Sequence, residues 1–102
     1  MLQRKKIGFI GSGNMAEALV SGLVLSEDAR PENIICSDIA PDLLESVAEK
    51  YQVRTTPDNL EVARESEIVI FAVKPQILGS VLKQTAPVLD QDGTVEAAVI
   101  VN

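Results

Sequence analysis

Two textures alternate along the chain. Short unbroken apolar runs give way to longer stretches in which apolar residues recur every three or four positions. The runs are Ile7 to Ile10, Asn33 to Ser37 and Ile68 to Val73. The last of these, six apolar residues rich in β-branched side chains, suits a central parallel strand covered on both faces. The helical stretches place Met15, Ala16, Leu19, Val20 and Leu23 on one face, then Leu43, Leu44, Val47, Ala48 and Tyr51 after Pro41. A third such face carries Ile77, Leu78, Val81, Leu82 and Val88 after Pro75. Ser26 to Glu32 is a polar loop containing Pro31, and Gln52 to Thr55 is a short strand, placed at an edge. Thr56-Pro57 supplies a cap and a proline for a short helix from Asn59 to Ser66. Asp90-Gln91-Asp92-Gly93 makes a turn before a last strand within Thr94 to Val101. The order is β-α-β-α-β-α-β-α-β. Parallel strands need crossover helices, so the pattern predicts an α/β, doubly wound, mainly parallel sheet with helices on both faces, one domain over residues 1–102.

The first strand runs into Gly11-Ser12-Gly13-Asn14-Met15-Ala16, and a helix follows at once. The spacing Gly11-x-Gly13-x-x-Ala16, in a strand–turn–helix context, is the dinucleotide fingerprint of a Rossmann-type fold. Gly11 allows a tight turn, Gly13 leaves the backbone open to a pyrophosphate, and Ala16 lets the helix sit close to the strand. The helix's first turn carries unpaired N–H groups and a partial positive charge, where an anion belongs. Asn14 with Glu17 also fits a capping pair at the helix start, a role compatible with ligand contact. The fingerprint calls for an acid about 20 residues further on, and Asp38 stands there, at the end of the second apolar run. A carboxylate at that point favours an unphosphorylated ribose and repels a 2′-phosphate; the alternative is that Asp38 only ends the strand or caps the next helix. Lys74 follows the third run, either facing the ligand or extending into water. Gly11, Asp38 and Lys74 each stand just past a strand end, the edge where ligands bind in such sheets.

Composition narrows the picture. At 102 residues with 46% apolar content, the chain holds one real core but is small for an enzyme that must grip both a dinucleotide and a substrate. The net charge of −6 argues against nucleic acid and anionic membrane as partners. No apolar run approaches a membrane span, and glycines with Asn14 break the stretch behind Arg4-Lys5-Lys6, which argues against a signal peptide. The single cysteine, Cys36, lies in an apolar run; it suits a reducing cytoplasm and reads as a buried, inert thiol. The absence of histidine removes the commonest general base and metal ligand, so no metal site is expected.

The stretch Ile7 to Ala18, containing Gly13-Asn14-Met15-Ala16-Glu17-Ala18, together with Phe71-Ala72-Val73-Lys74-Pro75-Gln76, resembles the N-terminal domain of pyrroline-5-carboxylate reductase from about Lys5 to Asp92. The resemblance implies NAD(P)H as cofactor and hydride transfer to a small cyclic imine in proline biosynthesis. It further implies that Ile10, Gly11, Ser12, Gly13, Asn14 and Met15 wrap the pyrophosphate. Ser37 and Asp38 would then meet the adenosine ribose, Asn59 would approach the cofactor, and Ala72, Val73, Lys74 and Pro75 would line the nicotinamide side. The residue reading leaves Asn59 as a surface amide in a first helical turn. Two departures stand out. Family members that take NADPH carry neutral or basic residues after the second strand, whereas Asp38 leans this chain to NADH. The family's Ala-Ala-Gly turn has no counterpart after Ala97-Ala98, and Glu96 is awkward in a central strand because a buried carboxylate needs a partner.

The family's C-terminal substrate and dimerisation domain is expected to be absent, so the chain by itself binds dinucleotide with little turnover. No residue is nominated as catalytic, and a homo-oligomer is compatible with the resemblance. Two other readings stand beside this one: a reductase of the hydroxyacid dehydrogenase type, and a non-catalytic dinucleotide-sensing or interaction module.

Overall fold

The computed structural model describes residues 2–89 and 95–100. Its strands are β1 (Ile7–Ile10), β2 (Ile34–Ser37), β3 (Arg54–Thr56), β4 (Ile68–Phe71) and β5 (Glu96–Val99). Its α-helices are α1 (Asn14–Leu25), α2 (Pro41–Tyr51), α3 (Asn59–Glu65) and α4 (Pro75–Leu89), and a short 3-10 turn, Pro31–Asn33, leads into β2. The strands form one parallel sheet in the order β3-β2-β1-β4-β5. Chain order reverses on either side of β1, so the carboxyl end of β1 faces the switch-point crevice of a doubly wound sheet.

Side chains alternate across each strand and bury two separate cores. On one face Ile7, Phe9, Ile34 and Cys36 pack with Ala16 and Val20 of α1 and Val47 of α2. On the other, Ile10, Ile35, Val69 and Phe71 pack with Val62 of α3 and Val81 of α4. Gly8 belongs to this second face. A Cβ there would run into Ser66 Oγ and Val62 Cγ1, so the glycine lets α3 lie directly on β1. Ser66 fills that space with a buried hydroxyl that has no hydrogen-bond partner among the described residues. An unmet buried hydroxyl costs about 1–3 kcal/mol. Ser66→Ala is therefore expected to keep or raise the thermal midpoint, and a fall of more than a few degrees would show that the hydroxyl is satisfied after all.

Several local features differ from the sequence reading for identifiable reasons. The cap of α1 is Gly13, not Asn14; Asn14 is already helical, and Glu17 pairs with Lys50 of α2 at 3.3 Å instead of closing a capping box. The cap of α3 is Asp58, whose Oδ1 accepts from Leu60 N at 2.9 Å, while Thr56 Oγ1 takes the Asp58 N–H one step earlier. Gln52 closes α2 in the left-handed region (φ 62°) and so cannot begin a strand; β3 starts at Arg54. That strand is an edge, as expected, and Arg54 ties it to Glu65 of α3 at 2.6 Å, holding the Glu65 carboxyl below its usual range. β4 ends at Phe71 because the chain leaves the ladder there, and Ile68 and Ile70 are only half-buried, not covered on both faces. β5 is the outer strand and exposed along its length, so Glu96 stands in solvent and needs no buried partner. The expected turn at Asp90 to Gly93, and the strand's expected limits at Thr94 and Val101, lie outside the described residues.

Candidate functional site

The site begins where β1 stops. Gly11 takes φ +102°, and a Cβ on it would stand 2.5 Å from Ala72 O, so the turn is accessible to glycine alone. Three contacts strap this turn to the end of β2. Gly11 N donates to Ser37 O at 2.8 Å, Ser12 Oγ to the same oxygen at 3.0 Å, and Ser12 N to Asp38 Oδ2 at 2.8 Å. The other Asp38 oxygen accepts from Ala40 N at 2.9 Å, which fixes the carboxylate from both sides. A carboxylate has about four acceptor positions, so two remain for a ligand.

The cradle is consequently narrower than the span Ile10 to Met15 suggests. Ser12 is buried and its N–H and hydroxyl are both engaged within the protein, and Ile10 is part of the second core. The open amides start at Gly13. Among the described residues no acceptor stands on the N–H groups of Gly13, Asn14 or Met15, at the positive end of α1. Gly13 itself is extended (φ −78°, ψ −163°), and a Cβ built on it meets nothing within 4 Å. A side chain on Gly13 would therefore stand in open space at the start of α1.

Two adjoining cavities lie along this edge. The first, about 380 Å³, is lined by Ile10, Gly11, Gly13, Asp38, Asn59, Ala72, Val73 and Lys74, with Ile39, Leu43, Ile77 and Val81 as an apolar wall. The second, about 430 Å³, is lined by Gly13, Asn14, Met15, Ala72, Val73, Lys74, Pro75 and Gln76, together with Ile100. Both share Gly13, Ala72, Val73 and Lys74, so a single groove crosses the sheet's carboxyl edge over the α1 amides. Lys74 is exposed beside it, and no ion pair occupies it among the described residues. Ser37 is wholly buried beneath the groove; its hydroxyl donates to Asn59 Oδ1 at 2.7 Å and its carbonyl holds the turn. Asn59 is thus no plain surface amide: it is half-buried and also donates from Nδ2 to Gln84 Oε1 at 3.1 Å.

The structure therefore brings together every residue singled out from the sequence except Ser12 and Ser37, which support the wall from behind. The apolar wall was not singled out. Leu43, Ile77 and Val81 belong to helical faces read as core; Val81 is core and reaches the groove from the second buried cluster, whereas Leu43 and Ile77, in the first turns of α2 and α4, are exposed. Ile39 is 90% exposed, and its one signal is its place after Asp38. Cys36 takes no part: burial pushes its thiol up to about 12. Among the described residues no cluster of three or more His, Cys, Asp or Glu could hold a metal ion, and no helix is long and apolar enough to cross a membrane.

A parallel switch-point sheet, a glycine turn strapped to an acid, and open helix-terminal amides in a groove define a Rossmann-type dinucleotide fold. Residues 6–99 match the family described as NADP oxidoreductase, coenzyme F420-dependent, and the chain belongs to that family, where it corresponds to the N-terminal domain of the pyrroline-5-carboxylate reductases. The pyrroline-5-carboxylate reductase of Methanosarcina acetivorans is 44% identical over 81 residues, 79% of this chain and 30% of the relative. The structure of the Coxiella burnetii pyrroline-5-carboxylate reductase superposes with a TM-score of 0.88 at 31% identity, covering 95% of this chain and 35% of that one. That of the Plasmodium falciparum enzyme, with NADP bound, gives 0.81 at 28% identity, covering 97% and 34%. The chain thus spans about a third of the length of the relatives it matches.

Proposed function

We propose that this chain is the NAD(P)H-binding domain of a pyrroline-5-carboxylate reductase. The observation that carries this reading is the set of open amides at Gly13, Asn14 and Met15 behind a space that any side chain on Gly13 would fill. A diphosphate placed there receives backbone donors and the α1 dipole, which a chain of net charge −6 needs in order to hold an anion. The adenosine half then lies in the cavity walled by Asp38, Ile39, Leu43, Asn59 and Ile77, and the nicotinamide half beside Ala72, Val73, Lys74 and Pro75.

The bound cofactor would supply the hydride. The chain's own part is orientation: Ala72 to Pro75 hold the nicotinamide side of the groove while the turn grips the other end. The substrate is a small cyclic imine, and most of its contacts come from outside these residues. We place the protein in a reducing cytoplasm, with a small molecule and not nucleic acid or membrane as its partner; the single buried thiol and the negative charge support this.

Of the two cofactors, NADH is the one the Asp38 carboxylate favours. A 2′-phosphate would bring about −1.5 to −2 charges up to a carboxylate already fixed by Ser12 and Ala40. In calorimetric titration of the chain, NADH is expected to bind at least about fivefold more tightly than NADPH, a gap of about 1 kcal/mol. Asp38→Ser should narrow that ratio to near unity. A wild-type preference for NADPH would overturn the cofactor choice, and binding of neither nucleotide would overturn the function.

A further inference from the structure

We propose that the Ser12 and Ala40 backbone amides form a latent seat for a 2′-phosphate, closed in this chain by the Asp38 side chain. The proposal rests on the reading of the groove as a dinucleotide site with the adenosine ribose beside Asp38. Asp38 then selects the cofactor by filling a place as well as by its charge.

The Asp38 carboxylate is itself an anion held by main-chain donors, one to each oxygen. Ser12 N donates to Oδ2 at 2.8 Å and Ala40 N to Oδ1 at 2.9 Å. Donors that hold one oxyanion suit another, and a phosphate monoester brings three strong acceptor oxygens. Both amides are kept in place by contacts that do not involve Asp38. The Ser12 hydroxyl and Gly11 N both donate to Ser37 O, at 3.0 and 2.8 Å. Ala40 is the cap of α2, where its carbonyl accepts from Leu43 N at 3.2 Å. Asp38 lines the cavity of about 380 Å³ and neither Ser12 nor Ala40 does, so the carboxylate stands between these amides and the groove. Without that side chain the Ser12 and Ala40 N–H groups lose their acceptor and face the groove where the ribose is placed.

Neutral substitutions separate shape from charge. Asp38→Asn keeps the shape: whichever way round its carboxamide stands, one of its polar atoms covers each amide. Asp38→Ala removes both cover and charge. In calorimetric titrations, Asp38→Asn is expected to keep NADH at least about twofold tighter than NADPH. Asp38→Ala should reverse the order, with NADPH at least about fivefold tighter, within the scale of one hydrogen bond to a charged group. Asp38→Ser stays between them, near unity, because its hydroxyl still accepts from Ala40 N. If charge alone selects the cofactor, the asparagine and alanine variants give the same ratio.

Backbone amide resonances distinguish a phosphate seat from extra room. In Asp38→Ala the Ser12 and Ala40 N–H signals should move much further with NADPH than with NADH. Adenosine 2′,5′-bisphosphate should move them as NADPH does, and adenosine 5′-monophosphate should not. Should the alanine variant fail to fold, the same titrations of Asp38→Ser are expected to move the Ser12 signal.

Equal ratios for asparagine and alanine overturn the seat while leaving the dinucleotide site in place. So does a wild type that prefers NADPH, or NADPH binding to the opened variant that leaves the Ser12 signal still. A wild-type chain that binds neither nucleotide overturns the site and the seat together.

Discussion

Gly13→Val is expected to weaken NADH binding by more than about a hundredfold, or about 2.7 kcal/mol, while the chain stays folded. The two halves of that expectation have separate causes. The Gly13 backbone is extended, a conformation open to any residue, and a Cβ there meets no atom within 4 Å. Valine is a poorer helix cap than glycine, so a cost within about 1 kcal/mol is expected, no more than a modest fall in thermal midpoint. Gly13, however, lines both cavities, and on the proposed reading the open space at that Cβ is where the diphosphate meets the Gly13, Asn14 and Met15 amides. A branched side chain there separates a diphosphate from its donors. Calorimetry and thermal melting on the same sample check both halves, and a valine variant that binds like wild type would remove Gly13 from the site.

Two residues earlier the balance reverses. Gly11→Ala is expected to lower stability by at least about 2 kcal/mol, roughly 8–16 °C in midpoint for a domain of this size. At φ +102° an L-residue is strained by about 1–3 kcal/mol. Its Cβ would also press on Ala72 O at 2.5 Å, forcing β1 and β4 apart where the chain leaves the sheet. The two glycines of one fingerprint are therefore expected to separate by experiment, Gly11→Ala reading out in stability and Gly13→Val in NADH affinity. An alanine variant with an unchanged midpoint would show that the turn relaxes around the methyl group.

Much of this was legible in the sequence because the signals were long or doubly determined. Unbroken apolar runs marked β1, β2 and β4, helical faces marked α1, α2 and α4, and the glycine turn had a strand before it and a helix after it. The ends of elements were less legible. Asn14 and Thr56 are each good caps by type, but the cap is whichever residue the chain reaches as it leaves the preceding strand or turn. Geometry chose Gly13 and Asp58. The continuous run Ile68 to Val73 hid the point where β4 stops, since Ala72 and Val73, past its end, still pack against the two cores while lining the groove.

Least legible were contacts made across the fold. Asp38 and Ser12 each looked like ligand groups, and nothing in a spacing of 26 residues shows that they first bind each other. That bond shifts the open amides along to Gly13, and it also holds the carboxylate at the groove. The chain from Ser37 through Asn59 to Gln84 joins β2, α3 and α4; the resemblance marked Ser37 and Asn59, but nothing in the sequence shows that they bond to each other or that Gln84 joins them.

The most direct test follows backbone amides by nuclear magnetic resonance as NADH is titrated into the 102-residue chain. The Gly13, Asn14 and Met15 N–H resonances are expected to shift most strongly and saturate together, with the Ala72 to Lys74 segment following. If those three amides stay in place at saturating NADH, no diphosphate sits at the start of α1, and the proposed function is wrong.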